Sequence, residues 1–379
     1  MIYLDNGATT KPHKTVIETY TKVLEKFFAN PSSIHELGGM VHDLQEEARN
    51  QIARLLSVER DEIIFTSGGT EGNNLAIKGI ALAHQNRGNH IITTKAEHPS
   101  VYNTCESLKE LGFQVTYVPV DEYGIVSVED VEEAITDETI LVSIMHVNNE
   151  IGSIQPIEDL AERLAQYPKL FFHVDAVQGL GKVPLDLRSE GIDLCTFSGH
   201  KINGVKGTGV LYVKKGTSLY PLFHGGSQEH SIRAGTEHVA GNVAFSRALR
   251  LIKEKEAIEV ERLYSLRKTL IDTLKTLDGV EINSPAKGAP HIVHVSVLGL
   301  KPEVVIHALY EEGIVVSTQS ACSSKQFEES RVLLACGHSQ ARASSGIRIT
   351  LSYDTTETEI EFFLERFKRI INELRNILE

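Results

Sequence analysis

The apolar residues of this chain fall into two kinds of run. Between positions 62 and 213, short continuous apolar runs alternate with longer stretches in which apolar residues recur every three or four positions. The continuous runs predict strands buried on both faces, and the longer spacing predicts amphipathic helices between them. The predicted strands are 62–66, 90–94, 115–118, 141–147, 170–174, 193–197 and 210–213. This alternation indicates an α/β fold built on a mainly parallel sheet.

Helical spacing continues on both sides of this region. A helix is predicted at 15–28, and a second one follows the interruption at 30–35 and runs to about residue 56. Further helices are predicted at 242–277, at 302–312 and at the end of the chain, where Thr356 and Glu359 form a capping box. Residues 292–297 alternate apolar and polar side chains, which predicts a half-buried strand. These elements predict a large domain at 15–255 and a smaller α+β domain formed by 1–14 and 256–379.

Composition narrows the class of protein. The 379 residues carry a net charge of −13, so we expect no direct contact with nucleic acid. The N-terminus lacks the basic and apolar segments of a signal peptide, and no apolar run approaches the length of a membrane span. The four cysteines show no CxxC pair and no disulfide-like spacing: Cys105, Cys195, Cys322 and Cys336. We therefore expect a cytoplasmic protein with no membrane contact.

One lysine ends a turn of small and polar residues. Residues 197–201 read Phe-Ser-Gly-His-Lys and follow the strand-like run at 193–197. Lys201 at the end of a strand is placed to form a Schiff base with a carbonyl, the link that holds pyridoxal phosphate (PLP). The alternative is a surface turn with a solvated lysine, and this pentapeptide alone does not decide between the two.

A glycine-rich turn at 67–74 follows the first strand of the sheet and precedes a helix. Free backbone N–H groups and the helix dipole make such a turn an anion site, although a turn without function has the same composition. The turn matches neither the Walker lysine pattern nor G-x-G-x-x-G, which argues against ATP and dinucleotides. The loop at 224–236 holds two histidines without a third ligand at matching spacing, so we expect no metal.

Polar residues recur just beyond the carboxyl ends of the predicted strands. Ligands of open α/β sheets bind at this edge, so these residues are expected to meet in one cleft. They are His98, Asn148, Asp175, Gln178, Ser198, His200 and Lys201.

The ordered motifs together resemble the PLP-dependent cysteine desulfurases of iron–sulfur cluster assembly and tRNA thiolation, in the class-V aminotransferase family. The resemblance runs from Tyr3 to the last helix. It rests on Ser-Gly-Gly-Thr-Glu-Gly-Asn-Asn, Glu-His-Pro-Ser, Val-Asn-Asn-Glu-Ile-Gly, His-Val-Asp-Ala-Val-Gln, Ser-Gly-His-Lys, Arg-Ala-Gly-Thr-Glu and Ser-Ala-Cys-Ser-Ser. It implies a fold-type I PLP fold, with a mainly parallel seven-stranded sheet and a smaller α+β domain. It also implies a homodimer in which both subunits contribute to each site.

The resemblance assigns roles residue by residue. Lys201 would hold PLP, Asp175 would pair with its ring nitrogen, and His98 would stack on the ring and take part in proton transfer. Gln178 would hydrogen-bond the ring oxygen, with Asn148 beside it. The phosphate would be held by Gly69, Thr70, Ser198 and His200, and Thr236 would reach it from the partner subunit. Arg348 would bind the carboxylate of L-cysteine in a bidentate pair, assisted by Asn30 and Asn148.

Cys322 is the residue that would separate sulfur transfer from other PLP chemistry. The resemblance implies that its thiol attacks the sulfur of the substrate, leaving alanine and a persulfide destined for an iron–sulfur scaffold or a tRNA-thiolating enzyme. Cys195 and Cys105 are predicted to be small buried hydrophobes instead. Gln319 departs from the small residue that relatives often carry before Ser-Ala-Cys. Selenocysteine lyase and aminotransferase activity remain the alternatives, and an inactive scaffold is disfavoured.

Overall fold

In a computed structural model of the chain, residues 1–188, 191–318 and 329–378 are described. The strands are Ile2–Tyr3 (β1), Ile63–Thr66 (β2), His90–Thr94 (β3), Gln114–Val118 (β4), Thr139–Met145 (β5), Phe171–Asp175 (β6), Leu194–Ser198 (β7), Gly209–Val213 (β8), Val280–Ile282 (β9), Ile292–Val297 (β10), Ile314–Val315 (β11) and Gly346–Thr350 (β12). The α-helices are Lys14–Lys26 (α1), Glu36–Leu56 (α2), Gly69–His84 (α3), Pro99–Lys109 (α4), Val128–Glu133 (α5), Ile157–Leu164 (α6), Val239–Leu274 (α7), Pro302–Glu311 (α8), Arg331–Ala335 (α9), Gln340–Ala343 (α10) and Glu357–Leu378 (α11).

The central sheet has seven strands in the order β2-β8-β7-β6-β5-β3-β4. The five strands β7, β6, β5, β3 and β4 are parallel to one another, whereas β8 is antiparallel to both β7 and β2. The connection from β7 to β8 is too short for the crossover that a parallel neighbour requires, so β8 returns alongside β7. The prediction of a mainly parallel seven-stranded sheet is confirmed.

Both faces of this sheet are covered by helices. Alternate residues of β2 point to opposite faces, so that Ile64 packs in a cluster with residues of α3 and α4. Ile63 and Phe65 belong to the larger core cluster, which includes residues of α6 and α7. Because each face has its own apolar cover, every residue of β2, β3, β5, β7 and β8 is buried. This double burial explains why the sequence reads as continuous apolar runs.

A second, antiparallel sheet is formed by β9, β10 and β12. The prediction that residues 292–297 form a half-buried strand is wrong, because every residue of β10 is buried. Its polar side chains have a buried partner, Asn283, whose Nδ2 lies 2.8 Å from His294 Nδ1 and donates to Ser296 Oγ at 2.8 Å. The alternation of apolar and polar residues in β10 therefore reflects one apolar and one polar buried face, and neither face is exposed to solvent.

The predicted domain boundary at 255/256 falls inside α7, which spans Val239–Leu274 without interruption. Residues near the N-terminus pair with the C-terminal part of the chain, since β1 lies parallel to β11 and Asp5 bridges to Thr350. The division into two domains stays a prediction. The predicted capping box is confirmed, because Thr356 N donates to Glu359 Oε2 and Glu359 N donates to Thr356 Oγ1. Among the described helices, none is long and apolar enough to cross a membrane.

Candidate active site

A cavity of about 150 Å³ lies where the carboxyl ends of β5, β6 and β7 meet the start of α3. The structure brings most of the predicted site residues to this cavity: Gly69, Thr70, His98, Asp175, Gln178, Ser198, His200, Lys201 and Arg348. Further lining residues were not singled out from the sequence: Gly7, Ala8, Asn73, Ser100 and Asn149. The cavity therefore contains an amine, carboxylate, imidazole and guanidinium groups at the edge where open α/β sheets bind ligands.

Lys201 ends a short 3-10 turn, Gly199–Lys201, that follows β7 directly. Its Nζ donates to the carbonyl oxygen of Gly7 and, at 2.8 Å, to that of Ala8. The carbonyl oxygen of Lys201 accepts from Nζ of Lys182, a buried lysine whose pKa burial lowers to about 8. The N-terminal segment and a second lysine thus hold the turn in place from two sides.

Gly7 can approach the cavity only because it lacks a side chain. A Cβ at this position would lie 2.8 Å from Cγ2 of Thr350, a distance that real Cβ contacts do not show. The backbone N–H of Gly7 donates to Thr350 Oγ1 at 2.7 Å, and its carbonyl also accepts from Gln178 Nε2 at 3.0 Å. No local sequence signal identifies Gly7 or Ala8, since their partners in the cavity lie far away along the chain.

The glycine-rich turn leads directly into α3, whose first residues, Gly69 and Thr70, line the cavity. Gly68 caps α3 with a φ of 146°, a conformation that favours glycine, and α3 begins at Gly69. The first N–H groups of a helix have no partner within the helix, and the first two residues of this helix line the cavity together with Ser198. Ser198 Oγ is buried and has no hydrogen-bond partner among the described residues. An anion bound here would satisfy both kinds of donor.

Asp175 is the last residue of β6 and is buried. Its Oδ1 accepts from the backbone N–H of Val177 at 3.0 Å, and its Oδ2 accepts from Nδ2 of Asn73 at 2.7 Å. Burial raises the pKa of this carboxyl, whereas the two hydrogen bonds and the charge of Lys201 act in the opposite direction. A cation placed in the cavity would favour the ionised form further.

His98 caps the N-terminus of α4 through its Nδ1, which accepts from the backbone N–H of Ser100 at 3.1 Å. Burial lowers the pKa of His98 to about 4, with contributions from the positive charges of Lys201, Arg331 and Arg348. His200 also lines the cavity, and burial lowers its pKa to about 4. Both imidazoles are therefore neutral near pH 7.

Arg348 lies on β12 with only 1% of its surface exposed. Its NH1 donates to the carbonyl oxygen of Asn149 at 2.8 Å, and its NH2 donates to Ser317 Oγ at 3.0 Å and Asp5 Oδ1 at 3.3 Å. Ser317 Oγ donates in turn to Asp5 Oδ1 at 2.7 Å. The Nε of Arg348 has no hydrogen-bond partner among the described residues. Arg348 is thus held on one side and keeps a free donor.

Asn148 does not line the cavity, contrary to the prediction. Its Nδ2 donates to the carbonyl oxygen of Ala96 at 2.9 Å, and its Oδ1 accepts from the N–H groups of Glu150 and Ile151. These contacts use the amide to shape the turn after β5. Asn149, the next residue in the same motif, is the one that lines the cavity.

Three further predicted residues lie outside the cavity or outside the described part of the chain. Asn30 is exposed, and its Oδ1 accepts from Ser32 N at 2.9 Å. Thr236 is exposed and lines a separate cavity of about 250 Å³. Cys322 falls within residues 319–328, which lie outside the described residues. Across 1–188, 191–318 and 329–378, no three His, Cys, Asp or Glu side chains form a group that could hold a metal ion.

The three described cysteines are free and buried. Burial raises the pKa of Cys105 and of Cys336 to about 12, and it raises the pKa of Cys195 further above its usual range. A thiol must ionise to act as a nucleophile, so none of these three is suited to that role. The prediction that Cys105 and Cys195 are buried hydrophobes is confirmed, and Cys336 belongs with them.

Comparison with known proteins identifies the family. The profile described as Aminotransferase class-V matches residues 2–363. Over 380 residues the chain is 45% identical to a NifS/IcsS protein homolog of Lactobacillus delbrueckii subsp. bulgaricus, covering 100% of this chain and 99% of that protein. It is 44% identical over 378 residues to the cysteine desulfurase IscS of Dictyoglomus turgidum, covering 99% and 96% respectively. The chain therefore belongs to the class-V aminotransferase family, in the group that includes NifS- and IscS-type proteins.

A solved structure of a NifS-like protein superimposes on the chain with a TM-score of 0.92 and 36% identity, covering 98% of this chain and 99% of that one. The predicted fold-type I architecture is confirmed by this match together with the observed strand order. The resemblance on which the predicted site roles rest is likewise confirmed at the level of the family.

Proposed function

We propose that the protein is a PLP-dependent cysteine desulfurase, which converts L-cysteine to L-alanine and passes the sulfur to an acceptor. One observation carries the proposal: Lys201, Asp175 and Arg348 line the same cavity. These are the groups needed to attach PLP, to charge its ring and to bind an amino-acid carboxylate. Relatives over the full length of the chain that are named cysteine desulfurases support the same activity.

The residues of the cavity fit PLP. Lys201 offers an amine for a Schiff base, and Asp175 offers a carboxylate for the ring nitrogen. The unpartnered hydroxyl of Ser198 and the start of α3 fit a phosphate group. The wall is close enough that a Cβ at Gly69 would lie 2.9 Å from Cγ2 of Val177. Glycine at this position therefore lets the start of α3 lie against Val177 at the edge of the cavity.

When bound, PLP supplies a cationic ring that accepts electrons from the α-carbon of an amino acid. Asp175 would hold a proton on the ring nitrogen, and Arg348 would orient the substrate carboxylate through its unpartnered Nε. Lys201 would remove and return the proton at the α-carbon. Nδ1 of His98 is hydrogen-bonded to Ser100 at the start of α4, so Nε2 is the ring nitrogen that His98 has left for the cavity.

The sulfur step is assigned to Cys322. Its thiolate forms a sulfur–sulfur bond with the substrate as the bond between sulfur and Cβ breaks. The electron pair of that bond remains with the carbon fragment, which takes up protons to become L-alanine, and the persulfide stays on Cys322. The high pKa values of the described thiols support this assignment, since those thiols remain protonated at neutral pH.

The proposal includes a homodimer with composite sites. Thr236 is exposed and lines a different cavity from Lys201, as expected of a residue that serves the partner's site. Large apolar side chains on and between α1 and α2 are also exposed: Leu24, Phe28, Ile34, Leu37 and Met40. An apolar surface of this kind is typical of an interface between subunits. The proposed location is the cytoplasm, and the proposed acceptor is an iron–sulfur scaffold or a tRNA-thiolating enzyme.

The activity is tested by incubating the PLP-loaded protein with L-cysteine and a thiol reductant and measuring alanine and sulfide. Equal amounts of both products are expected. Parallel reactions with L-selenocysteine and with a 2-oxo acid as amino acceptor distinguish the alternatives. Faster turnover of selenocysteine would indicate a selenocysteine lyase, and keto-acid-dependent loss of the amino group would indicate an aminotransferase.

Asp175→Asn is expected to lower kcat by roughly 10²–10³-fold, the usual effect of losing one preorganised electrostatic contact. A neutral amide does not hold the ring proton as a carboxylate does, although it keeps the size of the side chain. The matched control is Asp193→Asn, which also changes an aspartate that accepts a backbone N–H, here from Phe172, but outside the cavity. Equal kinetics for the two variants would remove Asp175 from the site.

Arg348→Lys is expected to raise the KM for L-cysteine by roughly 10–100-fold, because lysine has no donor at the place of the unpartnered Nε and cannot reproduce the fixed guanidinium geometry. Arg342→Lys is the control, since Arg342 also donates to a side chain and a carbonyl, at Asn283 and Ile282, but does not line the cavity. Steady-state kinetics of both variants are compared. An unchanged KM in Arg348→Lys would place the substrate carboxylate elsewhere.

A further inference from the structure

Four buried or half-buried side chains that line the cavity are connected in one chain of hydrogen bonds, from His98 to Asp175. Nδ1 of His98 lies 2.8 Å from Ser100 Oγ. Ser100 Oγ accepts from Nδ2 of Asn73 at 2.8 Å, and the same Nδ2 donates to Oδ2 of Asp175 at 2.7 Å. Asn73 is completely buried. Neither Asn73 nor Ser100 has a role in the proposed function described so far.

The direction of each hydrogen bond follows from the donors available. Asn73 has two hydrogens on Nδ2, and they serve the carboxylate of Asp175 and the hydroxyl of Ser100. A flipped amide would instead place Oδ1 of Asn73 against the carboxylate, which is repulsive while Asp175 is ionised. Nδ1 of His98 accepts the backbone N–H of Ser100, so it is an acceptor, and the hydroxyl of Ser100 at 2.8 Å directs its own hydrogen to this nitrogen.

The protonation of His98 follows in turn. Its Nδ1 also accepts the backbone N–H of Ser100 at 3.1 Å, so two donors converge on this nitrogen and it carries no proton. The charges of Lys201, Arg331 and Arg348 on other elements lower the pKa of the ring, and His200 acts in the same direction. They oppose a second proton, so the ring is neutral with its hydrogen on Nε2, the nitrogen left for the cavity.

We propose that Asn73 and Ser100 are positioning residues that fix His98 as the Nε2–H tautomer and connect it to Asp175. His98 in this form can donate a hydrogen bond or a proton from Nε2 into the cavity, but it cannot accept a proton there. The consequence for catalysis rests on the proposed function, because it requires a ligand beside His98. The hydrogen-bond chain itself does not, so it can be tested without turnover.

The test uses the full chain without PLP, with nitrogen-15 in its histidines, and His98→Gln to assign the His98 signals. Long-range proton–nitrogen spectra near neutral pH are expected to show an unprotonated Nδ1 and a protonated Nε2. Ser100→Ala should move the Nδ1 signal downfield, toward that of an unbonded nitrogen, and Asn73→Ala should move it in the same direction by less. Ser100→Thr, which keeps the hydroxyl, should restore the parent spectrum.

Two neighbouring substitutions serve as controls. Ser107→Ala removes a hydroxyl from α4, the helix that carries Ser100, and Asn74→Ala removes an amide next to Asn73. The side chains of Ser107 and Asn74 each donate to a nearby backbone carbonyl, that of Thr104 and that of Thr70. A protonated Nδ1 in the parent, or Ser100→Ala and Asn73→Ala spectra identical to these controls, would overturn the proposal. If the spectra behave as expected but no alanine forms from L-cysteine, the hydrogen-bond chain stands and the proposed activity fails.

Discussion

Lys201→Ala is expected to give a folded protein that carries no covalently bound PLP and shows no detectable turnover of L-cysteine. The amine of Lys201 is held at the cavity by the carbonyl oxygens of Gly7 and Ala8, directly after β7. Alanine at this position cannot form a Schiff base, nor can it move the proton at the α-carbon of the substrate. Absorbance of the purified variant, with borohydride reduction and peptide mass analysis of the parent, measures the covalent link.

Lys206→Ala is the matched control, because Lys206 is exposed in the same connection between β7 and β8. It should retain the parent spectrum and the parent turnover. A Lys201→Ala protein with an unchanged spectrum and normal activity would contradict the assignment of PLP to this cavity. Loss of both properties in the control as well would mean that the connection as a whole had been disturbed.

Cys322→Ser is expected to have the second largest effect. The variant should bind PLP and L-cysteine like the parent, because Lys201, Asp175 and Arg348 are unchanged. It should form almost no alanine, since a serine hydroxyl does not ionise near neutral pH and cannot take the sulfur. The measurement is alanine formed per subunit, alongside the affinity for L-cysteine determined from the absorbance of bound PLP.

The controls for this prediction are the three described cysteines changed one at a time to alanine. Alanine is preferred to serine because a buried hydroxyl without a partner would destabilise the core. Cys105, Cys195 and Cys336 are all buried, so their variants should lose some stability and keep the activity. Normal alanine formation by Cys322→Ser, or its loss in one of these controls, would assign the sulfur step to another residue.

The central sheet could be predicted from the sequence because its physical cause is local. A strand buried on both faces must be apolar along its length, and the runs at 90–94 and 193–197 showed this directly. The same reasoning was wrong for 292–297. Alternation there predicts exposure, but the polar side chains of His294 and Ser296 contact the buried Asn283 within the core.

The site could be predicted where a residue type carries the chemistry, as for Lys201, Asp175 and Arg348. It could not be predicted where the role depends on geometry. Asn148 and Asn149 are adjacent and chemically identical, and only the turn after β5 decides which of them faces the cavity. Contacts across the fold, such as that of Gly7 with Lys201, leave no pattern in the local sequence.

The central claim is that sulfur leaves L-cysteine and is held on Cys322. Its most direct test is mass spectrometry of the PLP-loaded protein after a short incubation with L-cysteine in the absence of reductant. The expected result is a mass increase of one sulfur atom per subunit, reversed by reductant, that maps to the peptide containing Cys322 and matches the alanine released. Alanine without added sulfur, or added sulfur only on the peptides of Cys105, Cys195 or Cys336, would contradict the account.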